Sequence, residues 1–92
     1  MNANSLAFTY FETLGAALDS FVAQTESKGA VFASAQPQVD VASAFNGGVS
    51  YGQTVSRSFE LATLKGKATK RFAHAVVYRM ESGRYELVNY VL

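Results

Sequence analysis

The chain has 92 residues, of which 49% are hydrophobic, 13% aromatic and 16% charged. A chain of this length fills one small core, so we expect a single domain over residues 1–92, and its apolar content excludes an intrinsically disordered tail. The absence of cysteine excludes disulfide frameworks, thiolate metal sites and thiol catalysis. His74 is the only histidine, and one imidazole cannot build a histidine-rich metal centre. We therefore expect no metal, no other cofactor and no enzymatic activity.

Charge is distributed unevenly along the chain. Up to Thr54 a single cation, Lys28, stands against four carboxylates, whereas seven cations face three carboxylates from Val55 onward, so the two parts carry −3 and +4. The second part is the one that can attract an anionic partner. No segment approaches the roughly 20 apolar residues that span a bilayer. Residues 1–5 lack the basic start and apolar core of a signal peptide. We expect a cytoplasmic protein without membrane contact.

The first strong pattern predicts an amphipathic helix. Apolar side chains recur at helical spacing over residues 11–22, at Phe11, Leu14, Leu18, Phe21 and Val22. Lys28 suits the negative end of the helix dipole, and Gly29 can adopt the left-handed conformation that ends a helix. The helix is therefore expected to end at these two residues.

The start of this helix has two interpretations. Thr9 and Glu12 form a capping-box pattern, whereas Thr13 is the cap if a short strand over residues 5–10 precedes the helix. Further on, residues 30–35 form a small-residue run that fits a strand. Residues 38–45 fit either a strand or a short helix with Pro37 in its first turn, and the helix is favoured.

Three strands follow. Apolar residues occupy odd positions from Val49 to Leu61, which predicts a long half-buried strand. Residues 71–80 and 85–92 form two further runs on either side of Ser82 and Gly83, a dipeptide typical of a two-residue hairpin turn. We take Lys65 and Gly66 as the equivalent turn upstream.

The two turns define a register. With two-residue loops, Tyr78 lies opposite Leu87, and Phe59 lies opposite Phe72. Both turns then send the same side chains to one face: Val55, Phe59, Phe72, Val76, Tyr78, Met80, Tyr85, Leu87 and Val91. The amphipathic helix packs on this face. The expected fold is α+β, an antiparallel three- to four-stranded meander with one helix, its fourth strand drawn from residues 5–10 or 30–35.

The same register assigns the remaining side chains. The outer face receives Ala75, Val77, Val88, Tyr90 and Leu92, which are covered either by residues 38–45 or by a partner, a second copy included. Tyr90 is expected at the centre of such an interface because tyrosine is enriched among binding hot spots. His74 is placed opposite Arg57 on the apolar face. We interpret it as a structural imidazole bonded to a backbone group or a carboxylate rather than as a general base.

Basic residues cluster beside the first hairpin turn. Lys65, Lys67, Lys70 and Arg71 lie within seven residues without an intervening acid, so this tip can reach phosphates or an acidic protein surface. An ordinary solvated turn explains the same residues equally well. The chain shows no helix suited to reading a groove and no aromatic signature on the polar face, which disfavours sequence-specific nucleic-acid recognition. The expected partner-binding residues are Lys65, Lys67, Lys70, Arg71, Arg79, Arg84 and Tyr90.

The closing segment over residues 79–87, RMESGRYEL, is similar to segments of small bacteriophage proteins. In its layout, a cysteine-free chain of this length with one helix on an antiparallel meander resembles the proteins that bacteriophages encode to block host defences, the anti-CRISPR proteins in particular. The resemblance implies a stoichiometric inhibitor that docks on a host protein or ribonucleoprotein complex and blocks nucleic-acid contacts. Many DNA-mimicking members are acidic and this chain is not, which favours docking on protein subunits with the basic loop near nucleic acid.

Two alternatives remain open from the sequence. A nucleic-acid-binding accessory protein held by phosphate contacts would bind free nucleic acid, with an affinity that falls steeply as salt rises. A small enzyme would depend on His74, the only imidazole.

Replacing Lys65, Lys67, Lys70 and Arg71 together with glutamate is expected to abolish partner capture, because the change reverses the charge of the tip. Capture is measured by pull-down from host lysate with mass spectrometry, and circular dichroism verifies that the variant folds. Unchanged capture would remove this loop from the interface.

Overall fold

A computed structural model describes residues 7–62 and 68–92 of the chain. The elements in chain order are β1 (Ala7–Phe11), α1 (Leu14–Ser27), β2 (Val31–Phe32), α2 (Pro37–Ala44), β3 (Thr54–Ala62), β4 (Ala68–Arg79) and β5 (Tyr85–Val91). The strands form one antiparallel sheet in the order β1-β5-β4-β3-β2. The α+β class and the meander are confirmed. The sheet has five strands rather than three or four, because both candidate segments pair with it, and a second helix joins the first.

Helix α1 is capped by Thr13, the second of the two starts that the sequence allows. The Thr13 hydroxyl oxygen accepts a hydrogen bond from the amide of Ala16 at 3.1 Å, which satisfies one free amide of the first turn. At the other end, the amide of Gly29 donates to the carbonyl of Glu26 at 3.0 Å, and Gly29 has a φ of +88°, which glycine adopts without strain. Phe11, which the helical pattern includes, is instead the last residue of β1.

The core lies between the helices and one face of the sheet. Helix α2 carries Pro37 in its first turn, as the favoured interpretation predicts, and it packs beside α1. The buried apolar cluster contains Leu18, Phe21, Val22, Phe32, Val41, Phe45, Val49, Leu61, Ala73, Ala75, Val77 and Leu87. Because residues of both helices enter this one cluster, α2 does not cover the opposite face of the sheet.

One polar pair crosses the core between α1 and β5. Asn89 is 3% exposed, and its side-chain amide donates to Oε1 of Gln24 at 3.0 Å. The Oδ1 atom of Asn89 has no partner among the described residues. A slip of β5 by one residue would replace Asn89 by Val88 or Tyr90 at this position and break the pair, so it helps to specify the register.

The hairpin between β4 and β5 differs from the prediction. The amide of Met80 donates to the carbonyl of Arg84 at 2.8 Å, and the amide of Gly83 donates to the carbonyl of Met80 at 2.9 Å. These bonds close a three-residue loop over residues 81–83 in which Gly83 has a φ of +94°. The predicted two-residue loop is therefore wrong by one residue, and Val77 rather than Tyr78 lies opposite Leu87.

The pairing of β3 with β4 is also one residue from the prediction. Phe59 lies opposite Ala73 instead of Phe72. The register shifts again between Glu60 and Ala62, near Lys70, whose φ of +62° marks the irregularity on β4. The predicted turn at residues 65–66 lies outside the described residues.

The two shifts reverse the faces of β4 alone. Phe59 points into the core, where its ring centre lies 5.6 Å from that of Phe21, but Phe72 and Val76 lie on the opposite face. The prediction that Phe59, Phe72 and Val76 share a face is wrong, and so is the inward placement of Tyr78 and Met80. Ala75 and Val77, predicted on the outer face, are fully buried. The physical reason is the period of two: a one-residue slip exchanges every side chain of a strand between faces.

Two neighbouring valines test which side chains of β4 face the core. Val77→Asp is expected to lower the free energy of unfolding by about 3 kcal/mol or more, because it buries an unpaired carboxylate, whereas Val76→Asp changes it by about 1 kcal/mol or less. Urea denaturation measures both variants. If Val77→Asp does not fold, Val77→Ala and Val76→Ala replace the pair. A larger loss at Val76 than at Val77 would contradict the register.

Candidate functional site

The face of the sheet opposite the helices is rich in aromatic side chains. It carries Tyr10 of β1, Ser56, Ser58 and Glu60 of β3, Phe72, His74, Val76 and Tyr78 of β4, and Glu86, Val88 and Tyr90 of β5, with Leu92 just beyond. We call these residues the open face. Tyr10, Phe72 and Leu92 are 49%, 40% and 72% exposed. In the part of the chain that the structure describes, both helices pack on the other side of the sheet.

A stacked group lies across the open face. The imidazole of His74 stacks on the ring of Tyr90, with ring centres 4.8 Å apart and 19° between their planes. Nδ1 of His74 shares a hydrogen bond of 2.7 Å with the hydroxyl of Ser58, its cross-strand neighbour on β3. The ring of Phe72 lies 6.5 Å from that of His74. These contacts link β3, β4 and β5 and present Tyr90 beside a fixed imidazole.

Among the described residues, the open face carries charges of both signs and is not a basic surface. Arg84 lies at one end of the face, where its Nε is 3.8 Å from a carboxylate oxygen of Glu12 and its guanidinium lies 5.7 Å from the ring centre of Tyr10. Glu60 and Glu86 occupy other positions of the same face. The Arg84–Glu12 pair is solvent-exposed, so it adds little stability.

The basic residues predicted at the first hairpin divide into two sets. Lys65 and Lys67 lie outside the described residues. Lys70 is exposed, and Arg71 lines a cleft of about 240 Å³ together with Lys28, Gly29, Ala30 and Val91. The structure therefore places Arg71 near the carboxyl end of α1.

Arg79 and Arg84 lie at the opposite end of the sheet from Arg71. Eight residues separate Arg71 from Arg79 along β4, a distance of roughly 26 Å at the usual rise of a strand. The guanidinium carbon of Arg79 lies 4.1 Å from the ring centre of Tyr51 and 5.0 Å from that of Tyr85. Its Nε donates to the carbonyl of Gly83 at 3.3 Å, so Arg79 braces the hairpin. Of the predicted binding residues that the structure describes, Arg71 therefore lies at one end of the sheet, and Arg79 and Arg84 lie at the other.

Two features of the site were missed by the sequence reasoning. His74 lies opposite Ser58 on the open face, not opposite Arg57 on the apolar face. Aromatic side chains, which the sequence did not place on the outer face, are present there, because the register shifts put Phe72 and Tyr78 of β4 on that face. Gly83 gave no decisive signal, because glycine suits the second position of a two-residue loop as well as the third position of a three-residue loop.

Within the described residues, the Ser58–His74 pair supplies two members of a nucleophilic site without the third. A serine nucleophile requires a base that is itself held by a third group. Among the described residues His74 contacts the rings of Tyr90 and Phe72 and the hydroxyl of Ser58, and no carboxylate bonds its second nitrogen. Ser58 is exposed. The arrangement is that of a cross-strand hydrogen bond, which stabilises the sheet.

The described residues contain neither a metal-ligating cluster nor a membrane-spanning helix. Over residues 7–62 and 68–92, no three His, Cys, Asp or Glu side chains come together to hold a metal ion. Neither described helix has the length and apolar content needed to cross a bilayer. Comparisons with protein-family models, curated proteins and solved structures find no match. The function is therefore inferred from the geometry of the site.

Ester hydrolysis tests the role of the Ser58–His74 pair. We expect the wild type, Ser58→Ala and His74→Ala to release p-nitrophenol from p-nitrophenyl acetate at the same rate, because no third group among the described residues activates the pair. The absorbance of the product is the measurement. A wild-type rate above that of both variants would instead assign the pair to catalysis.

Proposed function

We propose that this chain is a non-enzymatic binding protein that docks on a protein partner through the open face of its sheet. The observation that carries the proposal is the aromatic surface formed by Phe72, His74, Tyr78 and Tyr90, with Tyr10 at its edge. Contiguous exposed apolar surface on a small domain is typical of an interaction site.

Tyr90 is the expected centre of this interface. It lies on β5, an inner strand of the sheet, and its ring is held against His74 at 4.8 Å, so little side-chain freedom remains to be lost on binding. Tyrosine combines a large apolar ring with a hydroxyl that can bond to the partner, which explains its enrichment at hot spots.

The charges favour a protein partner over a phosphate backbone. Among the described residues, the open face and its rim carry Glu12, Glu60 and Glu86, while Arg84 already lies beside Glu12. A surface that binds nucleic acid through phosphates needs an excess of cations. The aromatic rings alone would suit stacked bases, so a single-stranded nucleic acid is the second candidate occupant.

The resemblance to anti-CRISPR proteins supplies the kind of partner. We infer a phage-encoded inhibitor that docks on a protein subunit of a host ribonucleoprotein complex. In this arrangement the open face contacts the subunit, while Lys70 and Arg71, at one end of the sheet, lie closest to the nucleic acid that the subunit holds. Blocking that contact would be the inhibitory effect.

Capture experiments with one variant on each face test the proposal. Tyr90→Asp is expected to weaken capture of the host complex about 30-fold, because loss of a tyrosine hot spot costs about 2 kcal/mol. Val39→Asp is the matched control, since Val39 is exposed on α2, on the other side of the sheet. Biolayer interferometry against the purified complex gives the affinities, and circular dichroism verifies the fold of each variant.

Nuclease treatment and salt identify the occupant. Capture that survives nuclease and is lost in Tyr90→Asp supports docking on protein. Binding of free single-stranded oligonucleotide, with an affinity that falls steeply with salt, would assign the open face to nucleic acid instead. Equal capture by wild type and Tyr90→Asp would refute a role for the open face.

A further inference from the structure

The β3 edge of the sheet is only partly covered. Strand β2 pairs with β3 at Leu61 and Ala62, and after one more hydrogen bond, from Ala33 to Glu60, the chain bends away towards α2. In the described part of the chain, no strand lies beside the remainder of β3. Uncovered strand edges present unpaired amides and carbonyls, and such edges can bind an extended segment of another chain.

The hydrogen bonds show which groups of β3 point outward. Phe72 exchanges two bonds of 3.0 Å with Leu92, so its amide and carbonyl point away from its β3 neighbour Glu60. The carbonyl of Glu60 accordingly points to the edge, where it accepts from the amide of Ala33 at 3.0 Å. Because these directions alternate along a strand, the backbone groups of Ser58 also point outward.

Neighbouring groups of the edge are already occupied. The carbonyl of Ser56 accepts from Nη1 of Arg57 at 2.9 Å, and Nε of the same guanidinium donates to the carbonyl of Ala44 at 3.2 Å. Ser58 therefore offers both an amide and a carbonyl with no backbone partner among the described residues. One incoming residue can form two main-chain hydrogen bonds there.

A cleft lies next to this edge. It has a volume of about 260 Å³, between β3 and the start of α2, and its apolar walls include Phe32, Val41 and Phe59. Asp40 is an exposed residue that lines the same cleft, whereas Glu60 borders it from β3 with its side chain on the open face. Apolar walls with a carboxylate suit the side chain of arginine or lysine, whose stem packs on apolar surface while its charge meets the acid.

We propose that the β3 edge binds an extended peptide segment of another protein, which adds to the sheet in line with β2 and inserts an arginine or lysine side chain into the cleft. Ser58 supplies the main-chain hydrogen bonds, and Asp40 selects the cation. The site uses the backbone of Ser58 rather than its side chain on the open face, and it goes beyond the proposed function.

A second copy of this chain fits the edge less well than a peptide. Pairing two β3 strands antiparallel about Arg57 sets two guanidinium groups opposite each other, and like charges in cross-strand pairs are destabilising. Pairing them about Ser58 places the partner strand where Ala33 already bonds Glu60. A short segment avoids both conflicts, because it need not extend past Ser58.

Designed probes test the register of the added strand. The probe is a dye-labelled peptide Thr-Val-Arg-Val-Thr with blocked ends, compared with Thr-Val-Glu-Val-Thr by fluorescence polarisation. If the arginine side chain enters the cleft, the amides of the two valines face β3. N-methylation of both valines is expected to weaken binding to the wild type at least about tenfold, whereas N-methylation of the arginine residue leaves it unchanged.

Variants of the protein provide a matched pair. Ser58→Pro removes the outward amide, and proline is tolerated where an edge amide faces solvent. Ser58→Ala keeps the amide and loses only the hydroxyl. We expect at least about tenfold weaker binding of the arginine probe for Ser58→Pro, no change for Ser58→Ala, and weaker binding for Asp40→Asn. Circular dichroism verifies folding, and the N-methylated probes decide the question if Ser58→Pro does not fold.

Every outcome of these measurements either supports or overturns peptide binding at the β3 edge. Amide shifts at Ser58 on titration with the arginine probe, with the losses above, support the proposal. No saturable binding, equal binding of the valine-methylated probe, or shifts confined to the open face would overturn it, and self-association in sedimentation velocity that Ser58→Pro abolishes would assign the edge to a second copy. Tyr90→Asp should leave probe binding unchanged, so failure here is distinguishable from failure of the proposed function.

Discussion

The left-handed conformation of Gly83 is the constraint on which the rest of the structure depends. At a φ of +94° this residue completes a three-residue loop, and the bonds between Met80 and Arg84 then set the pairing of β4 with β5. That pairing places Val77 in the core and Tyr78 on the open face. A loop shorter by one residue would exchange the two and expose the valine, because side chains alternate along a strand.

The helices then decide which face of the sheet is left for binding. Both pack on the face that holds the small and aliphatic residues of β4, with Ala73 and Ala75 fully buried beneath them. Small side chains let a helix approach the sheet closely, while the larger rings of β4 face outward. The aromatic open face is thus a consequence of how the core is packed. Arg79 stabilises the hairpin between β4 and β5, because its guanidinium lies near the rings of both Tyr51 and Tyr85.

Ser58 connects the two proposed binding surfaces. Its hydroxyl bonds Nδ1 of His74 on the open face, while its amide and carbonyl point to the edge of β3. The edge exists because β2 has only two residues before the chain bends towards Pro37 and begins α2. A longer β2 would have covered Ser58 and filled the cleft beside Asp40. The length of one short strand therefore determines whether this sheet can accept another.

The sequence alone determined the elements whose signals are local. Gly29 marks the end of α1 because capping is a property of a few neighbouring residues, although the sequence left Thr9 and Thr13 open as the start. The outward position predicted for Tyr90 also holds, because both register shifts reverse β4 alone. Only the tertiary structure decided which side chains of β4 face the helices. Residues 75–78 are apolar on both faces, so alternation cannot select a register, and Gly83 suits a two-residue loop as well as a three-residue one. The ambiguity is resolved when the helices pack on one of the two faces, and this packing depends on contacts between residues that are far apart in the chain.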